Sequence, residues 1–206
     1  MLRIWGRKNS SNVRKALWCA EEVGAAYERI DAGGAFGVVD EPAYRALNPN
    51  GVVPTLEDDG FVLWESNSIV RYLAARHPEA GLYPQDLRQR ASAERWMDWT
   101  TSTLAAPFRS VFWGTLRTPP EQRDEAAIAA ALQTCIKVLA VPEQALASQP
   151  YLTGEAFGIG DIALGSFIYA WFEMPIVRPS MPHLEAWYAR LCERPAYRSA
   201  VMTALT

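Results

Sequence analysis

The chain has 206 residues, 50% hydrophobic and 21% charged, with a formal net charge of -3 and a pI near 5.5. This composition fits one large packed domain or two small ones, excludes a disordered chain, and gives no basic face for nucleic acid. No apolar run stands out as long enough to span a bilayer and Met1–Lys8 lacks an apolar signal core, so a cytoplasmic location without membrane attachment is expected.

Leu2 and Ile4 alternate with polar residues and predict a short strand, followed by a polar loop from Gly6 to Ser11. Val13, Ala16, Leu17, Ala20 and Val23 then recur at helical spacing, and Gly24 provides a stop. Tyr27 to Asp31 reads as a second strand, Ala32 to Glu41 as a loop, and Pro42 to Leu47 as a short helix. Asn48-Pro49-Asn50-Gly51 is turn chemistry. Val52 to Leu56 and Phe61 to Trp64, separated by Asp58-Asp59-Gly60, predict a hairpin. A helix begins near Ser66 and ends before Pro78. These elements make a βαβ unit followed by a ββα unit, which suits a small mixed sheet carrying helices.

Residues 78–86 carry Pro and Gly and read as a linker between a domain over 1–77 and an all-helical domain over 87–206. Asp86 with Gln89 fits a capping box opening a long helix through Trp96, Trp99 and Thr103, which Pro107 should kink. Glu121 to about Ala147 predicts a second helix interrupted by Pro142. Ile159 to Phe172 is apolar on every side, as in a helix buried all round, and Leu184 to Cys192 and Ala196 to Ala204 complete the bundle.

Cys19, Cys135 and Cys192 are odd in number, widely spaced and outside any CxxC pair, so buried reduced thiols are expected in place of disulfides or zinc. With only His77 and His183, neither a metal centre nor a histidine-based hydrolase triad is expected.

Two segments carry chemistry. The loop Gly6 to Asn12 leads into a helix start, where unpaired N–H groups and a partial positive charge favour an anion such as a thiolate. A free thiol has a pKa of about 8.5; lowering it by roughly two units takes about 2.7 kcal/mol, within reach of a hydroxyl donor plus a helix terminus. Taken alone, Ser10, Ser11 and Asn12 equally suit an ordinary N-cap. The second segment joins Val53-Pro54, a backbone turn and candidate cis bond, to Glu65-Ser66 at the next helix start. Such a turn leaves the Val53 N–H and C=O for a peptide-like ligand, while Glu65 suits an α-amino group and Ser66 an α-carboxylate. Here too, Glu65-Ser66 alone fits a plain cap.

Ser10-Ser11-Asn12-Val13-Arg14-Lys15-Ala16-Leu17, Asn48 to Leu56 and Leu63 to Leu73 together resemble the N-terminal domain of cytosolic glutathione transferases. Pro150-Tyr151-Leu152-Thr153-Gly154, Gly160-Asp161-Ile162-Ala163 and Pro182-His183-Leu184-Glu185-Ala186-Trp187 resemble the family's helical domain. The resemblance covers nearly the whole chain. It implies a thioredoxin-like α/β domain, an all-α bundle, glutathione as co-substrate and a homodimer acting in detoxification. It makes Ser10 the activating hydroxyl with Ser11 as rival, and assigns glutathione contacts to Asn12, Val53, Pro54, Glu65 and Ser66. No cysteine lies in the Gly6 to Asn12 loop, so the serine-using, bacterial theta-like branch fits best, and Cys19 is expected in the core.

The electrophile is expected between the domains, with Arg109 and Trp113 as its contacts from an aromatic set that also holds Trp96, Trp99, Phe108 and Phe112. Three departures from the family pattern stand out. Val52 replaces the Lys or Gln often found before the Val-Pro pair, Gly158 replaces Ser or Thr three residues before Asp161, and Pro142 falls inside a helix. Two rival functions remain at this stage: a catalytically silent interaction module of the same fold, and another glutathione chemistry such as peroxide reduction or isomerisation.

Overall fold

Four short strands are laid side by side in the order β2-β1-β3-β4: β1 (Leu2–Trp5), β2 (Tyr27–Ile30), β3 (Thr55–Asp58) and β4 (Phe61–Trp64). β1 runs parallel to β2 and antiparallel to β3, which pairs antiparallel with β4. The β1–β3 register sets Ile4 opposite Leu56, and both are fully buried. The crossover from β1 to β2 is helix α1 (Ser11–Glu22), and α2 (Pro42–Leu47) and α3 (Ser66–Arg76) follow. α1 packs on α3 through Val13, Ala16, Leu17 and Ala20 on one side and Ile69, Val70 and Leu73 on the other, all buried. The structure, a computed structural model, describes residues 1–205.

These elements form one compact unit, Met1–Tyr83, which also takes in Pro195–Ala204. Here the sequence pattern misleads. Ala196 to Ala204 reads as a bundle helix, yet only α9 (Pro195–Ala200) is helical, and it packs on α1 with Trp18 and Tyr197 edge to face at 4.6 Å. The buried Arg14 holds the same tail, donating to the Thr203 carbonyl (3.1 Å) and hydroxyl (2.8 Å) and to the Ala204 carbonyl (3.3 Å). Another difference is β3, which begins at Thr55 where the hairpin pattern starts at Val52.

The second unit, Pro84–Arg194, is helical: α4 (Leu87–Trp99), α5 (Ala105–Phe112), α6 (Glu125–Leu146), α7 (Ile159–Glu173) and α8 (Pro182–Cys192). Asp86 caps α4 by accepting from the Arg88 and Gln89 amides, a one-way cap without the return bond a capping box requires. Pro107 brings no break. A π-helical turn over Thr100–Leu104 precedes it, and α5 continues through Pro107 to Phe112. The next helix starts later than its pattern suggests. Pro120–Gln122 forms a 3-10 turn, and Asp124 caps α6 by accepting from the Ala127 amide at 2.9 Å.

α6 then runs through the buried Pro142 without interruption, contrary to the sequence expectation. A proline costs the helix one backbone bond and a local clash, and here burial of the ring against the bundle offsets that loss. Its 22 residues, which include an 18-residue stretch of mean hydropathy 1.4, are long and apolar enough to cross a membrane by length and composition alone, which corrects the expectation that no such run exists. Alanines account for much of that hydropathy, and α6 packs in the bundle against α5 and α8.

Asp161, fully buried near the start of α7, joins three parts of the bundle. Its carboxylate accepts from the Leu152 amide (2.7 Å), the Gly158 amide (3.1 Å), the Thr153 amide (3.3 Å) and the Trp187 indole (2.8 Å). Burial pushes this carboxyl upward, and the four donors oppose it by stabilising the anion. Gly158 at the cap therefore removes no essential bond, because Asp161 satisfies its backbone directly. Next to Asp161, Gly160 lets α7 approach α4: a Cβ there would stand 3.0 Å from the Ala93 carbonyl oxygen.

Asp161→Ala strands four donors at once, those of Leu152, Gly158 and Trp187 buried and that of Thr153 partly so. A loss of at least about 3 kcal/mol is expected, read as a lower urea midpoint at unchanged slope; a loss below about 1 kcal/mol would contradict this role.

Candidate active site

Gly6 turns the chain out of β1 at φ 152°, and its missing side chain admits Val13, whose Cγ2 would lie 2.4 Å from a Cβ at position 6. The loop is thus held against the first turn of α1. Ser10 is the N-cap in extended conformation (φ -91°, ψ 124°); its carbonyl accepts from the Arg14 amide at 2.9 Å, but its side chain caps nothing. Ser10 is thus the N-cap by its backbone, without a side-chain cap bond. Its half-buried hydroxyl is not spent on the helix, and the amides of Ser11, Asn12 and Val13 lack helical partners by their position.

Val53-Pro54 is a cis peptide, as the sequence suggests. The Val53 amide and carbonyl enter no hydrogen bond among the described residues. Behind this turn, Val52 is fixed through its carbonyl, which accepts from the Tyr44 hydroxyl at 2.7 Å and from Asn48 Nδ2 at 2.9 Å. Those two side chains also meet Thr55 Oγ1, at 2.8 and 3.1 Å, so the turn rests on a buried polar cluster. The side chain of Val52 is exposed. Val52 thus contributes to the turn through its backbone.

α3 begins at Ser66, preceded by Glu65 at φ 72°. A non-glycine residue there costs on the order of 1 kcal/mol, a strain typical of functional positions. Glu65 is exposed and caps no amide, whereas Ser66 is buried. The Ser66 hydroxyl donates to Asn12 Oδ1 at 3.3 Å and accepts from Lys15 Nζ at 3.4 Å, which links the starts of α3 and α1. Lys15 is a residue the sequence reading passed over. Burial lowers its pKa to about 8 while the charge of Glu65 raises it, so the group stays protonated at neutral pH. A lysine at a core position of an amphipathic helix is the signal that could have flagged it.

Ser10, Ser11, Asn12, Val53, Pro54, Glu65 and Ser66 all belong to the first unit, and Asn12 and Ser66 are in direct contact. Arg109 and Trp113 lie in the helical unit, both exposed, Trp113 at 52%. The aromatic set around them is divided. Phe108 packs edge to face on Phe167 in the core, and Arg117 lies over Phe112 and Trp113. Trp96 and Trp99 instead line a cavity of about 390 Å³ with Arg95, Val141, Gln144 and Ala145.

Cys19 and Cys135 are buried, and burial drives both thiols up, Cys135 to about 12. Cys192 departs from the expectation of burial, being partly exposed. An aromatic disulfide reagent should therefore label one thiol of the native protein promptly and three only after unfolding; prompt labelling of two or more would contradict the burial of Cys19 and Cys135.

Residues 9–76 match the model of the glutathione S-transferase N-terminal domain, and residues 104–195 match that of the C-terminal domain. The chain is 45% identical over 204 residues to glutathione S-transferase GstB of Escherichia coli K12, covering 98% of each. It is 29% identical to glutathione S-transferase 4 of Zea mays over 199 residues, covering 95% of this chain and 89% of the relative. Its fold superimposes with a TM-score of 0.97 on a theta class glutathione S-transferase from Xanthomonas axonopodis pv. citri with glutathione bound. That protein is 67% identical, with 100% of this chain and 99% of the other covered. The thioredoxin-like α/β domain, the helical domain after it and these matches agree: the chain belongs to the glutathione S-transferase family and is an enzyme of that family.

Proposed function

We propose that this enzyme binds glutathione in its first unit and ionises the thiol for attack on an electrophilic carbon of a small molecule. The observation that carries the proposal is the link between two helix starts, Asn12 to Ser66, with an unspent Ser10 hydroxyl two residues before Asn12. The glutathione bound in the Xanthomonas relative supports the choice of thiol.

Each part of the tripeptide meets a group of matching chemistry. The unpaired Val53 amide and carbonyl, beside Pro54, pair with the cysteinyl backbone as one strand pairs with another. The Glu65 carboxylate receives the α-amino group of the γ-glutamyl end. The Ser66 hydroxyl and the α3 amides receive its α-carboxylate, with Asn12 beside them. The sulfur then faces the start of α1. Ser10 donates to it, and the partial positive charge of the helix terminus favours the anion. The proton leaves to solvent, the thiolate lone pair forms the carbon–sulfur bond, and the leaving group departs or the adduct takes up a proton. Ser10 serves as a donor and is never acylated or alkylated.

Arg109 and Trp113 are assigned to the electrophile, the ring for a flat apolar surface and the guanidinium for charge developing on it. A cytoplasmic homodimer engaged in detoxification completes the proposal, consistent with its family. The hydroxyl left unspent at Ser10 favours conjugation over a silent interaction module, since a module without catalysis has no use for an uncapped serine there.

Ser10→Ala, Ser11→Ala and the unaltered enzyme should be compared with glutathione across a panel of aryl halides and enones. Ser10→Ala is expected to lower kcat/KM by roughly 10²-fold or more, with Ser11→Ala near wild type. Equal activity in all three proteins would rule out the hydroxyl role.

A further inference from the structure

Lys15 occupies an unusual place. It is 1% exposed in α1, among the buried Val13, Ala16 and Leu17 and next to the buried Arg14, which is spent on the Thr203 and Ala204 tail; one contact of Lys15 is the Ser66 hydroxyl. The chain has only three lysines, and the other two are Lys8 and Lys137. A helix needing only core packing has no reason to bury an ammonium, whose desolvation is costly unless a partner repays it.

The bond to Ser66 has a direction that matters. An ammonium has donors and no acceptor, so Ser66 Oγ must use a lone pair on Lys15 and is left with its own proton to give. That proton goes to Asn12 Oδ1 at 3.3 Å, a long bond that a ligand oxygen can replace. Lys15 thus takes one Ser66 lone pair, leaves the hydroxyl proton free to turn to a ligand oxygen, and places a positive charge beside it. A hydroxyl donor backed by an ammonium favours a carboxylate over an amine, while the exposed Glu65 beside it has the opposite preference.

From this geometry, and resting on the glutathione site proposed above, we infer that Lys15 is a positioning residue for the γ-glutamyl α-carboxylate. It biases the Ser66 hydroxyl toward donation and sets a buried positive charge beneath the bound anion. It touches Ser66 and not the reacting sulfur, so its effect is on binding and orientation of the tripeptide. Burial lowers the Lys15 pKa only to about 8, which leaves the charge present at neutral pH.

The test uses calorimetric titration with S-methylglutathione, whose thioether removes thiol ionisation, and with its analogue carrying a primary amide in place of the γ-glutamyl α-carboxylate. The wild-type enzyme should prefer the acid to the amide by roughly tenfold or more, as expected for a charge-assisted contact. Lys15→Met should bring that ratio close to one, chiefly by weakening the acid. A merely structural lysine would weaken both ligands alike and leave the ratio intact, which would overturn the inference. Ser66→Ala separates the two levels of the proposal. If it weakens the acid while Lys15→Met preserves the ratio, Lys15 alone is misassigned. If wild type shows no preference and Ser66→Ala has no effect, the glutathione site itself is wrong and the inference falls with it.

A measurement on the unaltered enzyme covers the case of a Lys15→Met protein that does not fold. Among three side-chain lysine resonances, the one from Lys15 should shift when the acid is added and stay in place with the amide. Equal shifts with both ligands would also overturn the inference.

Discussion

The hydrogen bond from Ser66 to Asn12 joins the beginnings of α1 and α3, two segments more than fifty residues apart in sequence. Each beginning has backbone amides with no partner inside its own helix, and each carries the positive end of a helix dipole. Brought together, they form a surface suited to a ligand with two anionic ends, a carboxylate at one and a thiolate at the other. The rest of the first unit serves that meeting. The sheet sets the separation of the loops, Gly6 allows the first loop to close on Val13, and the cluster of Tyr44, Asn48 and Thr55 holds the Val52-Val53-Pro54 turn at the rim.

The helical unit is organised around a different constraint. One buried carboxylate, Asp161, satisfies the backbone at the start of α7, the turn at Leu152 and Thr153, and the indole of Trp187 on α8. Such a hub fixes local geometry at little expense, because every donor it takes would otherwise be buried without a partner. Each unit thus has one buried polar cluster that ties several backbone segments together, around Thr55 in the first and Asp161 in the second.

Much of this was legible in the residues. Alternation at Leu2 and Ile4, helical spacing from Val13 to Val23 and the turn at Asn48 to Gly51 gave the α/β part its order. The motifs around Ser10, Pro54 and Ser66 indicated which loops belong together. Other features escaped for physical reasons. Pro142 looks like a break because local propensity counts the lost bond, while the packing of its ring against the bundle is tertiary. The placement of Tyr197 on Trp18 is likewise a long-range contact that periodicity cannot report. Lys15 was passed over because a charged residue in an amphipathic pattern is read as an outward one, and only three-dimensional contact shows what it meets. Ser10 and Ser11 were not separable from spacing alone, since both hydroxyls fall in the same loop-to-helix junction.

The central claim is that the start of α1 lowers the pKa of a bound thiol, and thiolate absorbance measures this directly. Titrating the enzyme–glutathione complex against free glutathione, the account predicts half-ionisation roughly two units below the free value of about 8.5. A bound thiol that ionises at the same pH as in plain buffer would contradict it.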